Sequence, residues 1–108
     1  GIQLILNPSA RHFAICKSIR RQKLVEDNSK TFLCTYVYSN LLGNEAGRMI
    51  YDGECLIAQE GRLIQQNKRL SFNDINIITA DLGIVCLQID GVASCWLQDW
   101  SVVCCRWA

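Results

Sequence analysis

Seven cysteines and a single histidine, His12, hold most of the chemistry open to this 108-residue sequence. A catalytic thiol or hydroxyl needs a base within hydrogen-bond reach and a further group to orient that base. The candidate bases are His12, Glu45, Glu54 and the lysines, and no local signature joins any of them to a cysteine or serine. Cys16, Cys34, Cys55, Cys86, Cys95, Cys104 and Cys105 sit largely in apolar runs, where the thiolate is disfavoured. No pair has C-x-x-C spacing, and one histidine cannot complete a two-cysteine, two-histidine set, so no metal site is expected. The odd count reads as free, mostly buried thiols in a reducing compartment rather than as a disulfide scaffold. A thiol-redox role would rest on Cys104-Cys105 alone, and adjacent cysteines bridge only under strain. His12 reads as a surface or helix-start histidine rather than a base.

Two further stretches invite a binding role. Leu41 to Arg48 is a glycine-punctuated, polar segment that follows an apolar run. It has neither the G-x-G-x-x-G pattern nor the Lys-Ser/Thr of a phosphate loop, so it reads equally as a ligand loop and as a plain hairpin connection. Lys17, Arg20, Arg21 and Lys23 read as a solvated helix face, because no aromatic residues interleave with them as nucleic-acid binding requires. Eleven basic residues against ten acidic leave a net charge of +1, which asks for neither nucleic acid nor an anionic membrane. No apolar run reaches the roughly 18 residues of a membrane span. The chain opens Gly1-Ile2-Gln3, with no initiating Met and no basic leader, and reads as a trimmed chain or a piece of something longer.

The elements that must position these groups follow from patterning. Ile2 to Leu6 is a short apolar run that suits a buried strand, ended by Asn7-Pro8-Ser9. Residues 12–31 read as a helix with Phe13, Cys16, Ile19, Leu24 and Val25 turned inward and a stop near Asp27-Asn28-Ser29. Phe32 to Ser39 is rich in aromatic and β-branched residues and reads as a strand, whereas residues 40–53, with Gly43, Gly47 and Gly53, read as largely loop. Cys55 to Ala58 and Arg62 to Gln66 form a hairpin about Glu60-Gly61, and Ile75 to Ala80 is a last strand. The order strand, helix, four strands is an α/β layout of the α+β layered kind. One helix cannot cover a five-stranded sheet that is apolar on both faces, so more chain or a partner subunit is expected.

At this size the chain holds one domain. Its composition nevertheless changes near residue 82. Residues 83–108 hold four of the seven cysteines, all three tryptophans (Trp96, Trp100 and Trp107) and only three charges, so the chain divides into a body, 1–82, and a Cys/Trp-rich tail of unclear origin, 83–108.

Within the body, an ordered set of segments resembles a known family. These are Ile5-Leu6-Asn7-Pro8-Ser9-Ala10, Arg20-Arg21-Gln22-Lys23-Leu24-Val25, Tyr36-Val37-Tyr38-Ser39-Asn40 and Gly43 through Gly53, followed by Leu63 to Phe72 and Asn76 to Leu82. Their order and spacing resemble the amidase domain of the glutamine-dependent NAD synthetases, in the nitrilase or carbon–nitrogen hydrolase superfamily. The resemblance implies part of a four-layer α-β-β-α sandwich with a mixed sheet and one main helix, usually paired with a second subunit. It also implies hydrolysis of glutamine to ammonia through a thioester, by a Cys nucleophile, a Glu base and an oxyanion-stabilising Lys. ATP and the NAD precursor belong to a separate synthetase domain, so no cofactor is expected on this chain. The same resemblance places Ser9 and Asn40 at the glutamine pocket and Gly43, Glu45, Arg48 and Asp52 on a pocket-rim or subunit-contact loop. For Ser9 a helix cap, and for Asn40 a turn residue, are the plain alternatives.

The sequence departs from that pattern. The family's nucleophilic Cys is followed by Glu-Asp and precedes the Asn-Pro-Ser segment, but no cysteine here is followed by Glu-Asp and only six residues precede Asn7. The family's Glu and Lys lie further upstream, so no catalytic residue is assigned. Arg11 stands where the family usually has Ser, and the tail matches nothing in the family. The expectation is a cytoplasmic amidase segment, inactive alone, in a homo-oligomer or with a missing domain. The competing reading is a non-catalytic binding or oligomeric assembly module, motivated by the tryptophans of the tail.

Overall fold

The computed structural model describes residues 2–45, 47–84 and 98–105. Among the described residues, one helix and eight strands run in the order β1 (Leu4–Ser9), α1 (Lys17–Thr31), β2 (Thr35–Asn40), β3 (Leu42–Glu45), β4 (Met49–Asp52), β5 (Cys55–Gln59), β6 (Arg62–Gln66), β7 (Ile77–Ile84) and β8 (Gln98–Cys105). A four-stranded sheet has the order β1-β2-β5-β6, and β3-β4 and β7-β8 form two-stranded sheets. β1 and β2 are parallel and joined through α1, while β2-β5 and β5-β6 are antiparallel. This is a mixed α/β fold of the α+β layered kind, with one helix on a mixed sheet.

The central strands are apolar on both sides because both sides are covered. Tyr36 and Tyr38 of β2 and Leu56 and Ala58 of β5 pack with Val25 of α1. The alternate residues Val37, Cys55 and Ile57 pack with Ala80 and Leu82 of β7. The period-two alternation of a strand thus feeds two cores from one run of residues. The Glu60-Gly61 turn has the expected hairpin form, with φ of 53° and 81°. It is tied to the helix, since the Gly61 N–H donates to Ser29 Oγ at 2.9 Å and the Ser29 hydroxyl donates to Glu26 O at 2.8 Å. A Cβ at Gly61 would meet Lys30 Cβ at 3.1 Å, so the position suits glycine on two counts.

Several expectations are corrected. β1 does not stop before Asn7-Pro8-Ser9 but runs through them. It is an outer strand of the sheet, and Ser9 turns its carbonyl toward β2 to accept from Leu41 N–H at 2.9 Å. The neighbouring Pro8 therefore turns its ring nitrogen, which has no hydrogen to donate, toward the open edge. The helix begins at Lys17 rather than at residue 12, because residues 12 and 13 are taken up by other pairings. His12 bridges to Tyr51 and the Phe13 N–H donates to Ile50 O at 2.7 Å.

The buried face of α1 is also not the expected one. It carries Ser18, Arg21, Val25 and Ser29, while Ile19 and Leu24 are exposed. Residues 40–53 are an antiparallel hairpin rather than a loop, with Leu42 opposite Asp52 and Glu45 opposite Met49. Among the described residues the expected five-stranded sheet is a four-stranded one, and seven strands follow the helix instead of four. In the tail, β8 pairs antiparallel along all of β7, from Ile77 opposite Cys105 to Ile84 opposite Gln98. Trp96 and Trp107 lie outside the described residues. Among the described residues no helix is long and apolar enough to cross a membrane.

Cys34 and Cys55 are buried, and Cys16 is exposed. Burial pushes the Cys34 thiol above its ordinary value. The Tyr38 phenol is pushed up first by burial, an effect reinforced by Asp52 and Glu54 and partly opposed by Arg21 and Arg11. Both groups are neutral in their favoured folded form. Their contribution to stability is complete below the unfolded-state values, about 8.5 for cysteine and 10 for tyrosine, and is lost as pH rises through the higher folded-state values. The urea midpoint, followed by fluorescence, is expected to fall progressively above about pH 9. Tyr38→Phe should flatten the upper part of that decline.

Candidate functional site

Ser9 and Asn40 are the last residues of two neighbouring parallel strands and lie opposite one another in register. In sheets with parallel strands, ligands gather at this carboxyl end, where chain turns leave a crevice. Asn40 is buried, and its side chain grips the peptide of Arg11 from both sides. Its Oδ1 accepts from the Arg11 N–H at 2.8 Å, and its Nδ2 donates to the Arg11 carbonyl at 2.9 Å and to Asp52 Oδ1 at 2.7 Å. Ser9 is not a helix cap, since α1 begins at Lys17. Its hydroxyl donates to Asn7 Oδ1 at 3.0 Å, and Asn7 Nδ2 donates to the Tyr36 hydroxyl at 2.8 Å.

Behind Asn40 lies a buried ionic cluster. The chain turns at Gly53, with φ of 64°, so that Asp52 and Glu54 both reach back to α1. Arg21 Nη1 lies 2.5 Å from Asp52 Oδ2 and 3.1 Å from Glu54 Oε2, while Nη2 donates to the His12 carbonyl at 3.2 Å. The Ser18 hydroxyl donates to the other oxygen of Glu54, and the Glu54 N–H donates to Asp52 Oδ1 at 3.2 Å. The guanidinium also lies 5.9 Å from the centre of the Tyr38 ring. Burial works against the charge of Arg21, but the hydrogen bond and field of Asp52, with Glu54 and Tyr38, outweigh it and raise its pKa. Arg69, 3.9 Å from Asp52 Oδ2, adds a second and more exposed cation beside two carboxylates. Asn67 straps the bend from outside, accepting from Cys55 N–H at 2.7 Å and donating to Gly53 O at 2.8 Å.

In front of the cluster is a cavity of about 460 Å³ between the first turns of α1 and residues 7–12. Asn7, Arg11, Lys17, Arg20, Arg21 and Tyr38 line it. His12, also on its wall, is exposed and stacks at 5.6 Å on Tyr51. Among the described residues no group of three His, Cys, Asp or Glu side chains converges to hold a metal ion.

The structure thus brings together Asn40 and Asp52 directly, and Ser9 beside them by strand register. Asp52 is buried at the base of the β3–β4 hairpin, while Gly43, Glu45 and Arg48 lie further out along its backbone. Arg21 and Ser18 were not legible as site residues. Arg21 sits in a run of basic residues and reads as one more solvated charge. The available signal was the spacing Ser18, Arg21, Val25, Ser29, a helical stripe of mostly polar residues, set against the acidic pair that flanks Gly53.

No protein-family model matches the chain. A solved glutamine-dependent NAD(+) synthetase from Cytophaga hutchinsonii is similar with a TM-score of 0.66 and 67% identity, covering 68% of this chain and 13% of that one. The glutamine-dependent NAD(+) synthetase of Saccharomyces cerevisiae is 30% identical over 84 residues, which is 78% of this chain and 12% of that protein. A glutamine-dependent NAD(+) synthetase from Acinetobacter baumannii, at 18% identity, shares the fold with a TM-score of 0.61 over 65% of this chain and 13% of its own. The chain is related to the glutamine-dependent NAD(+) synthetases and spans about one-eighth of the length of the relatives it matches.

Arg21→Ala would leave Asp52 and Glu54 buried, with Arg69 beside Asp52 as the remaining ion-pair partner among the described residues. Removing one partner of a buried ion pair costs about 3–5 kcal/mol, because the other charge is left uncompensated. Chemical denaturation is expected to show a loss of that size. Arg21→Lys should recover only part of it, since an ammonium cannot reproduce the fork that spans Asp52, Glu54 and the His12 carbonyl.

Proposed function

We propose that this chain, a relative of the glutamine-dependent NAD(+) synthetases over most of its length, is a segment of their glutamine-hydrolysing amidase unit. In this reading it is part of a nitrilase-like α-β-β-α sandwich of the carbon–nitrogen hydrolase superfamily. It works in the cytoplasm within a larger or oligomeric assembly. The observation that carries the reading is the pairing of Ser9 and Asn40 at the carboxyl ends of β1 and β2, beside a cavity lined by cations. Glutamine presents an α-carboxylate and a side-chain amide. The cations supply a counter-charge for the first, and a polar strand end supplies hydrogen-bonding partners for the second.

The role of this segment is to bind and orient. Asn40 holds the Arg11 peptide, and Ser9 with Asn7 presents polar groups at the strand end. The hairpin that carries Gly43, Glu45 and Arg48, with Asp52 at its base, serves as pocket rim or subunit contact. The nucleophilic Cys, the Glu base and the Lys belong outside this segment, so the chain alone releases no ammonia. The ammonia would be used by a synthetase domain that activates the NAD precursor with ATP. An assembly role is the second reading, favoured by Ile2, Leu6 and Phe72, all exposed apolar residues.

Titration of the isotopically labelled chain with L-glutamine, followed by amide resonances, tests the proposal. The expected result is saturable shifts at Ser9 and Asn40 at millimolar ligand, weakened in Ser9→Ala, with ammonia release no greater than a no-protein control. Absence of any saturable shift, or release of ammonia above that control, would overturn it.

A further inference from the structure

We propose that the cavity between the start of α1 and residues 7–12 is a site for a small dianion, a phosphate ester or a dicarboxylate, taken in preference to a zwitterionic amino acid. The inference rests on the amidase reading only in placing a ligand at this end of the sheet.

Charge is the first argument. Arg11, Lys17 and Arg20 line the cavity, and among the described residues no Asp or Glu does. Arg21 is engaged with Asp52 and Glu54, but Arg11, Lys17 and Arg20 form no ion pair among the described residues. A single α-carboxylate, accompanied by an ammonium, answers little of that charge. A ligand with two negative charges answers most of it, and guanidinium groups meet phosphoryl or carboxylate oxygens with two parallel hydrogen bonds.

The second argument comes from α1 itself. A helix start carries partial positive charge, favours acidic residues in its first turn and favours a side-chain cap. Here the first turn has no acidic residue and carries Lys17 and Arg20, and Cys16 at the cap position, with φ of 65°, makes no side-chain capping bond. The helix therefore begins with like charge against its own dipole. An anion in the cavity beside it would offset that cost.

The third argument is that the wall is built in advance. Asn40 holds the Arg11 peptide at both N–H and C=O, and Arg21 and Lys17 both donate to the His12 carbonyl, at 3.2 and 3.5 Å. The backbone that carries Arg11 is thus fixed without a ligand, which lowers the ordering cost of binding. The volume of about 460 Å³ fits a ligand larger than a single ion.

The test compares inorganic phosphate, glutarate and L-glutamine as probes of the 108-residue chain, at low and raised sodium chloride, by amide resonance shifts. Phosphate or glutarate is expected to bind about tenfold more tightly than glutamine. That binding should weaken as salt rises and fall about tenfold in Arg11→Ala and in Lys17→Ala. Both substitutions are at exposed side chains, and unchanged urea midpoints would show that the fold is kept. A response to phosphate alone assigns the phosphoryl class, and one to glutarate alone assigns the dicarboxylate class. Glutamine binding as tight as either dianion overturns the inference and leaves the amidase reading standing. Dianion binding without a glutamine response supports the inference and overturns the glutamine reading. Dianion binding untouched by both substitutions is diffuse surface attraction and overturns the inference, and no response to any probe overturns both.

Discussion

A guanidinium enclosed with two carboxylates is the constraint that organises this fold. Arg21, Asp52 and Glu54 are all at least nine-tenths buried. Charges taken out of water are tolerable only when each finds partners in good geometry. That requirement fixes which face of α1 turns inward, and it brings the base of the β3–β4 hairpin under the helix. It also explains why Ile19 and Leu24 face outward: the inward stripe belongs to Ser18, Arg21, Val25 and Ser29. Hydrophobic burial still supplies the bulk of the packing, through Leu56, Ile57 and Leu82 on the two faces of the sheet. The ionic cluster selects one way to arrange that packing.

The site inherits its shape from the cluster. Asp52 accepts from Asn40, Asn40 clamps Arg11, and Arg21 reaches past them to the His12 carbonyl. Two side chains, from a strand end and a helix, therefore hold two consecutive residues of the segment between β1 and α1, and Asp52 at the hairpin base holds both of those side chains. Such networks have high stakes, since every member that is lost leaves another buried polar group unpaired. The same segment forms the wall of the cavity, carries Arg11, and offers the His12 carbonyl to Lys17 and Arg21. Structural and ligand-facing roles meet at Arg11 and His12, and the helix start beside them leaves its positive end open to the cavity.

Much of the fold could be read from residue patterns. The strands of β2, β5 and β6 and the Glu60-Gly61 turn follow from apolar alternation and turn chemistry, and the demand for cover on both sheet faces follows from runs such as Tyr36-Val37-Tyr38. The family that these segments resemble, the glutamine-dependent NAD(+) synthetases, is also the one whose members matched the chain, over 84 residues in the yeast relative. What pattern reasoning missed has one physical origin. Binary patterning assigns charge to water, and so it placed Arg21 outside and Ile19 inside. The reversal depends on Asp52 and Glu54, 31 and 33 residues away, which no local window contains. The hairpin at residues 42–52 was hidden in the same way, because glycines and polar residues read as loop until Asp52 is seen to be anchored at its base. Pro8 misled because its meaning depends on whether the strand is at an edge, which is a property of the sheet.

The central claim is that the buried cluster, acting through Asp52, holds the cavity wall in place. Native-state amide hydrogen exchange on Asp52→Ala, under conditions where the variant remains folded, tests it most directly. The account predicts selective loss of protection at the Arg11 and Phe13 amides, which donate to Asn40 Oδ1 and Ile50 O, while Val37, Leu56 and Ile57 keep theirs. Unchanged protection at Arg11 and Phe13, or an equal loss across the whole sheet, would contradict it.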